Sequence, residues 1–177
     1  MGKWELLRSE KGENLHIANV RFDWWKNPRN GSELRATVLE TPDWVNIVAL
    51  TPDEKILVVK QFRLGSQTVT SEMPAGVMEA GETPQEAAMR ELAEETGYTT
   101  DDWTYLGWVE PNPAYQDNHC HQFLARNVLR TQAVQQDDGE NVEFCEMTLD
   151  EVKAEINAAR MRNSLSLLSI SRVFQIW

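Results

Sequence analysis

Cysteine is scarce: Cys120 and Cys145 are the only two in 177 residues, and neither belongs to a CxxC pair. That excludes a disulfide framework and a zinc ribbon, and two free thiols in a cytoplasmic protein are expected. Three histidines leave little for a transition-metal site; His119 and His121 alternate along an expected strand and so face opposite sides. There is no run of 18 apolar residues, and the N-terminal MGKWELLRSEKGENL has no signal-peptide core, so no membrane association is expected. Basic residues are outnumbered, 17 Lys and Arg against 28 Asp and Glu, and the net charge of −11 argues against a nucleic-acid backbone as partner. No repeat or low-complexity tract stands out. With 41% hydrophobic residues, the length suits a chain with a real core.

What the chain does have is concentrated in residues 76–98, GVMEAGETPQEAAMRELAEETGY, which contain no lysine. Thr83 predicts an N-cap, Pro84 the first helical position, Glu86 the return half of a capping box, and Gly97 the left-handed residue past the last turn. Within that helix Ala88, Leu92, Met89 and Ala93 form an apolar arc, with Glu91, Glu94, Glu95 and Ala87 beside it. Glu91, Glu94 and Glu95 share one side, where like charges three and four apart repel by roughly 0.2–0.5 kcal/mol per pair. A divalent cation turns that repulsion into binding, because hard cations take carboxylate oxygens. Arg90 is placed to pair with Glu86 and to reach Glu94.

Gly76, Glu82 and then Arg90-Glu91-Leu92-x-Glu94-Glu95-x-Gly97-Tyr98 resemble the Nudix box, G-x5-E-x7-R-E-U-x-E-E-x-G-U, where U is a bulky apolar residue. Every fixed position matches, and Tyr98 is an aromatic where the pattern usually has an aliphatic. The resemblance implies an α/β fold, an α/β/α sandwich with a central mixed sheet, and a hydrolase of nucleoside diphosphate derivatives using Mg²⁺ or Mn²⁺. Gln61-Phe62-Arg63 and Glu72-Met73-Pro74-Ala75-Gly76 narrow it to the ADP-ribose pyrophosphatase and nucleotide-sugar branch. On that resemblance the metal ligands are Glu91, Glu95, Glu94 and the Ala75 carbonyl. Arg63 is implied as a substrate contact and Glu72 as a substrate contact or a metal or water partner; His119 is a further candidate substrate contact, and Arg90 and Glu94 hold the catalytic shell. The branch carries a glutamate and an arginine after the box, where this chain has Asn118 and His119. The proton-accepting base is therefore sought in the acidic segment 136–143, with Glu140 the first choice.

Ahead of the box, residues 15–26 and LRATVLE flank an Asn30-Gly31 turn, predicting an N-terminal antiparallel hairpin. Residues 44–50, 56–62, the WTYLGWVE and HCHQFLARNV segments and 142–148 predict further strands, and DEVKAEINAARM and SLSLLSISRVFQIW two helices. The resemblance implies that residues 1–43 are an extension building a homodimer, with the catalytic domain over 44–177. Trp24 or Trp25 there would stack on a base or pack at the dimer interface. The expected reaction splits a nucleotide sugar such as ADP-ribose into a nucleoside monophosphate and a sugar phosphate. A nucleoside triphosphate or coenzyme A hydrolase, or a non-catalytic nucleotide sensor, are the other readings.

Overall fold

The computed structural model describes residues 2–135 and 141–177. The chain divides into two compact units, residues 1–43 with 110–119, and residues 44–109 with 120–177.

The first unit is a three-stranded antiparallel sheet of β1 (Glu5–Asn14), β2 (Asn19–Lys26) and β3 (Glu33–Glu40), in that order. The Asn30-Gly31 turn lies between β2 and β3, with Gly31 at φ +72°. The sequence predicts a hairpin; the structure adds β1, every residue of which is exposed. A polar, solvent-facing strand shows no alternation, so only pairing with β2 reveals it. Leu6, Trp25 and Leu34 are cross-strand neighbours on one face; Arg8, Trp24 and Arg35 form the corresponding row on the other. Residues 110–119 join this sheet: Leu39 donates its amide to the Tyr115 carbonyl at 2.7 Å. Arg21 donates to Asp23, Glu40 and Asp117.

The second unit holds the core. One sheet runs β7 (Ala75–Val77), β4 (Trp44–Ala49), β10 (Cys120–Arg126), β9 (Asp102–Val109), with β4 and β10 parallel and the other pairs antiparallel. A second runs β12 (Val142–Met147), β5 (Ile56–Arg63), β6 (Thr68–Glu72), and β8 (Tyr98–Thr99) pairs with β11 (Leu129–Arg130). Helix α1 (Pro84–Thr96) packs on one side through Ala87, Ala88 and Leu92 against Val45, Ile47, Leu57 and Phe123. Helices α2 (Leu149–Asn157) and α3 (Ser164–Ser171) cover the other through Val152 and Ile170 against Val48, Val58 and Leu124. That is an α/β/α sandwich with a mixed sheet. β4, covered on both faces, runs almost continuously apolar, whereas β10 carries His121 and Gln122 ahead of its apolar Phe123-Leu124-Ala125.

Three expectations change. The buried face of α1 carries Ala87 rather than Met89, which is 41% exposed, and it includes Glu91 and Glu95. Glu86 bonds Thr83 in the capping box, while Arg90 turns to Glu82, Glu91 and Glu94. The last helix stops at Ser171 instead of continuing toward Trp177.

Candidate active site

Helix α1 begins with a complete capping box. The Thr83 amide donates to Glu86 Oε2 at 2.8 Å, and the Glu86 amide donates to Thr83 Oγ1 at 3.3 Å. It ends at Gly97, φ +76°, whose amide reaches the Ala93 carbonyl. Both ends being fixed locally, the side-chain directions between them are fixed as well. Glu91 and Glu95, one turn apart, point at β7.

The floor beneath Glu91 is Gly76. A Cβ built on Gly76 would meet the Glu91 carboxylate carbon at 1.9 Å, so only glycine leaves room for that group. Beside it the Ala75 amide donates to Glu95 Oε2 at 3.0 Å. Both carboxylates are buried, at 8% and 5% exposure for Glu91 and Glu95. Removing ionised carboxylates from water costs several kcal/mol each unless something compensates. Arg90 supplies part of that: Nη1 donates to Glu91 Oε1 at 2.8 Å and to Glu94 Oε2 at 3.0 Å. Its other edge takes Glu82 in a two-point grip, Nε to Oε1 at 2.8 Å and Nη2 to Oε2 at 3.0 Å, and Nη2 also reaches the Val77 carbonyl. The Arg90 bonds, with the Glu79 amide, hold the Glu82 carboxyl down at about 2, and the same pairing raises the Arg90 guanidinium further.

A second buried carboxylate lies just upstream. Glu72, 1% exposed, accepts from Arg63 Nε and Nη2 at 2.8 Å each, from Thr70 Oγ1 at 2.5 Å and from Asn163 Nδ2 at 2.9 Å. Burial alone would push its proton affinity up; the bonds from Arg63, Thr70 and Asn163 outweigh it and hold the carboxyl below its ordinary value. Asn163 also caps α3, its Oδ1 accepting from the Leu165 and Ser166 amides, and Ser166 Oγ accepts from the Met73 amide at 3.0 Å. Arg63 is therefore a guanidinium held at the end of the central strand β5 by a buried anion.

The structure brings Ala75, Glu91, Glu94, Glu95 and Arg90 together, and joins Arg63 to Glu72. Trp24, Trp25 and His119 belong to the first unit. There the Arg8 guanidinium carbon lies 4.0 Å from the Trp24 ring centre, Trp25 lines a cleft of about 480 Å³ with Trp4 and Leu6, and the His119 amide donates to Asp43 Oδ1 at 2.7 Å. Glu140 lies outside the described residues. The roles of Gly76 beneath Glu91 and of Asn163 beside Glu72 were not anticipated. The first is hinted at by the fixed box glycine; the second joins residues 91 positions apart and leaves no local mark.

Among the described residues, no three His, Cys, Asp or Glu side chains have their donors gathered on one point. Glu91 and Glu94 turn to Arg90, and Glu95 to the Ala75 amide. The donor set is nevertheless that of a hard divalent cation: anionic oxygens, without thiolate or imidazole, over a glycine floor. Glu91, Glu95 and Glu94 are the residues that would hold it.

Known proteins resemble this chain in sequence and in fold. The ADP-ribose pyrophosphatase of Bacillus subtilis (strain 168) is 32% identical over 177 residues, covering 97% of this chain and 92% of that protein. The methanol dehydrogenase activator of Bacillus methanolicus is 32% identical over 174 residues, covering 96% and 94%. A solved structure described as an ADP compounds hydrolase superposes with a TM-score of 0.86 at 19% identity, over 98% of this chain and 93% of that one, a likeness of fold. Residues 41–168 match the model of the NUDIX domain. With that match and two relatives at this identity spanning nearly the whole length, the chain belongs to the Nudix family.

Proposed function

We propose that this chain is a metal-dependent Nudix hydrolase that splits the pyrophosphate bond of a nucleotide sugar such as ADP-ribose, giving a nucleoside monophosphate and a sugar phosphate. The observation that carries the reading is the pair of buried carboxylates, Glu91 on Gly76 and Glu95 on the Ala75 amide. Arg90 grips Glu91 from one side, and the two carboxylates, one turn apart, offer anionic oxygens of the kind a hard divalent cation takes. The ADP-ribose pyrophosphatase relatives of Bacillus subtilis and Mycobacterium tuberculosis, the latter 33% identical over 73% of this chain, support the substrate class.

Nudix hydrolases use a divalent metal, and for this chain we propose Mg²⁺ or Mn²⁺, which oxygen ligands suit. When bound, the cation neutralises diphosphate charge and lowers the pKa of an attacking water. The protein's own groups do the rest. Arg90 keeps Glu91 and Glu94 in place, acting on the carboxylates and not on the substrate. The Ala75 amide orients Glu95, and the Ala75 carbonyl is the proposed backbone ligand. Arg63, braced by Glu72, offers a guanidinium to a phosphate oxygen. Glu140 is the proposed base for the water's proton.

We place the protein in the cytoplasm, where Cys120 and Cys145 stay reduced. The working form is a homodimer through the first unit, whose β1–β3 sheet leaves Leu6, Leu34 and Trp4 between 38% and 53% exposed in an apolar row with Trp25.

The test is Glu95→Gln. An amide oxygen still accepts from the Ala75 amide, so the fold is kept while the charge is lost. AMP release from ADP-ribose with Mg²⁺ should disappear at unchanged Tm; undiminished turnover removes Glu95 from the site. ADP-ribose, GDP-mannose, UDP-glucose and dGTP compared side by side settle the substrate class. A second reading rests on the relative named as a methanol dehydrogenase activator, according to which this chain acts on a partner dehydrogenase. It predicts that adding the chain raises the rate of such an enzyme.

A further inference from the structure

The central sheet brings a second group of side chains into line with the carboxylates. On the α1 face, Gly76 of β7 pairs with Val45 of β4, Val45 with His121 of β10, and His121 with Trp108 of β9. Directly paired residues of neighbouring strands project to the same side, so this is one row. It starts under the Glu91 carboxylate and passes the fully packed Val45. At His121 it lies roughly 10 Å from Gly76, two strand spacings away. The next row carries Tyr105 beside Phe123. Tyr105 and Trp108 are 50% and 51% exposed. The Tyr105 hydroxyl and His121 Nδ1 are hydrogen-bonded at 2.9 Å.

These rings do not form a flat slab. Tyr105 is inclined 33° to His121 and 48° to Phe123. A planar base stacks best on a parallel surface, whereas a puckered sugar fits a corrugated one, its C–H faces on the rings and its hydroxyls at the phenol and imidazole. In a nucleotide sugar the sugar is joined directly to the diphosphate on which the proposed hydrolysis acts.

Resting on the proposed pyrophosphatase reading, we propose that Tyr105, His121 and Trp108 form the subsite for the sugar joined to the distal phosphate, and that they set the sugar preference. Steady-state kinetics on ADP-ribose, ADP-glucose and UDP-glucose test this with Tyr105→Phe, His121→Ala and Trp108→Ala, against Trp24→Ala and Trp25→Ala as the rival surface. Losing one neutral hydrogen bond in Tyr105→Phe should raise KM about 2- to 12-fold at nearly constant kcat. Across the platform variants, the preference between ADP-ribose and ADP-glucose should shift while that between ADP-glucose and UDP-glucose stays put. A shift in base preference instead, or KM values moving only in the Trp24 and Trp25 variants, overturns the proposal. So does a parallel loss of kcat and Tm, the mark of a merely structural role. Wild-type protein that releases no nucleoside monophosphate from any of the three sinks the pyrophosphatase reading itself, and this subsite with it. Activity that survives in wild type but is indifferent to the platform sinks the subsite alone.

Discussion

Gly76 supports the candidate site by having no side chain. The Glu91 carboxylate occupies the volume that a Cβ there would need, with its three terminal atoms 1.9–2.2 Å from the ideal Cβ position. The obstructing atoms are the far end of a flexible side chain, so Gly76→Ala should displace the carboxylate rather than the strand. A displacement of about 1 Å at a catalytic group costs on the order of 100-fold in rate. We expect kcat on ADP-ribose to fall by about that factor while Tm moves by only a few degrees, as measured by AMP release and by calorimetry. A variant with wild-type kcat would mean that Glu91 works from another position. Gly97 makes the opposite case: at φ +76°, with a Cβ meeting the Gln132 carbonyl oxygen at 2.4 Å, its replacement strains the backbone itself. There stability should suffer first.

Helix α1 and the loop before it are joined by one ion pair, and this gives the site a pH signature. Glu82 is held from its ordinary 4.5 down to about 2, first by Arg90 and then by the Glu79 amide. A carboxyl depressed in the fold binds its proton more weakly there than in the unfolded chain, so its contribution is complete above about pH 4.5. It fades as pH falls toward 2. Arg90→Met removes that grip, and the Glu82 carboxyl should titrate close to 4.5 in a carbon-detected NMR titration; a value still near 2 would mean that the Glu79 amide alone sets it. This element also shows how far the sequence is legible. Its ends were readable because Thr83, Pro84, Glu86 and Gly97 act within a few residues of themselves. Its buried face was read a notch off, because periodicity sets Ala87, Glu91 and Glu95 on the arc beside the apolar one, whereas all three are buried. The Glu72, Arg63 and Asn163 cluster could not be found this way, since it is assembled from three elements. Strand β1 was missed for a different reason: with every residue exposed, nothing but its partner marks it as a strand.

Across the whole molecule, charge and apolar exposure pull in different directions. A net charge of −11 keeps copies apart in dilute salt, yet the β1–β3 sheet presents Leu6, Trp25 and Leu34 side by side with Trp4. Surface apolar residues scattered singly need no explanation, but a contiguous row does. The opposite face of the same sheet is covered differently: Arg8 lies over Trp24, and Arg35 over Phe22. That contrast is why the proposed dimer uses the Leu6 face. Withdrawing a leucine side chain from water is worth about 1.5–3 kcal/mol, so Leu6→Glu with Leu34→Glu should weaken self-association by about 100-fold or more. Sedimentation velocity at micromolar concentration should show the wild type at twice the mass of the double variant. Raising the salt should tighten the wild-type dimer, because it screens repulsion between acidic copies and leaves the apolar contact intact. A wild type that sediments as a monomer at every concentration and salt would show that this face meets something other than a second copy.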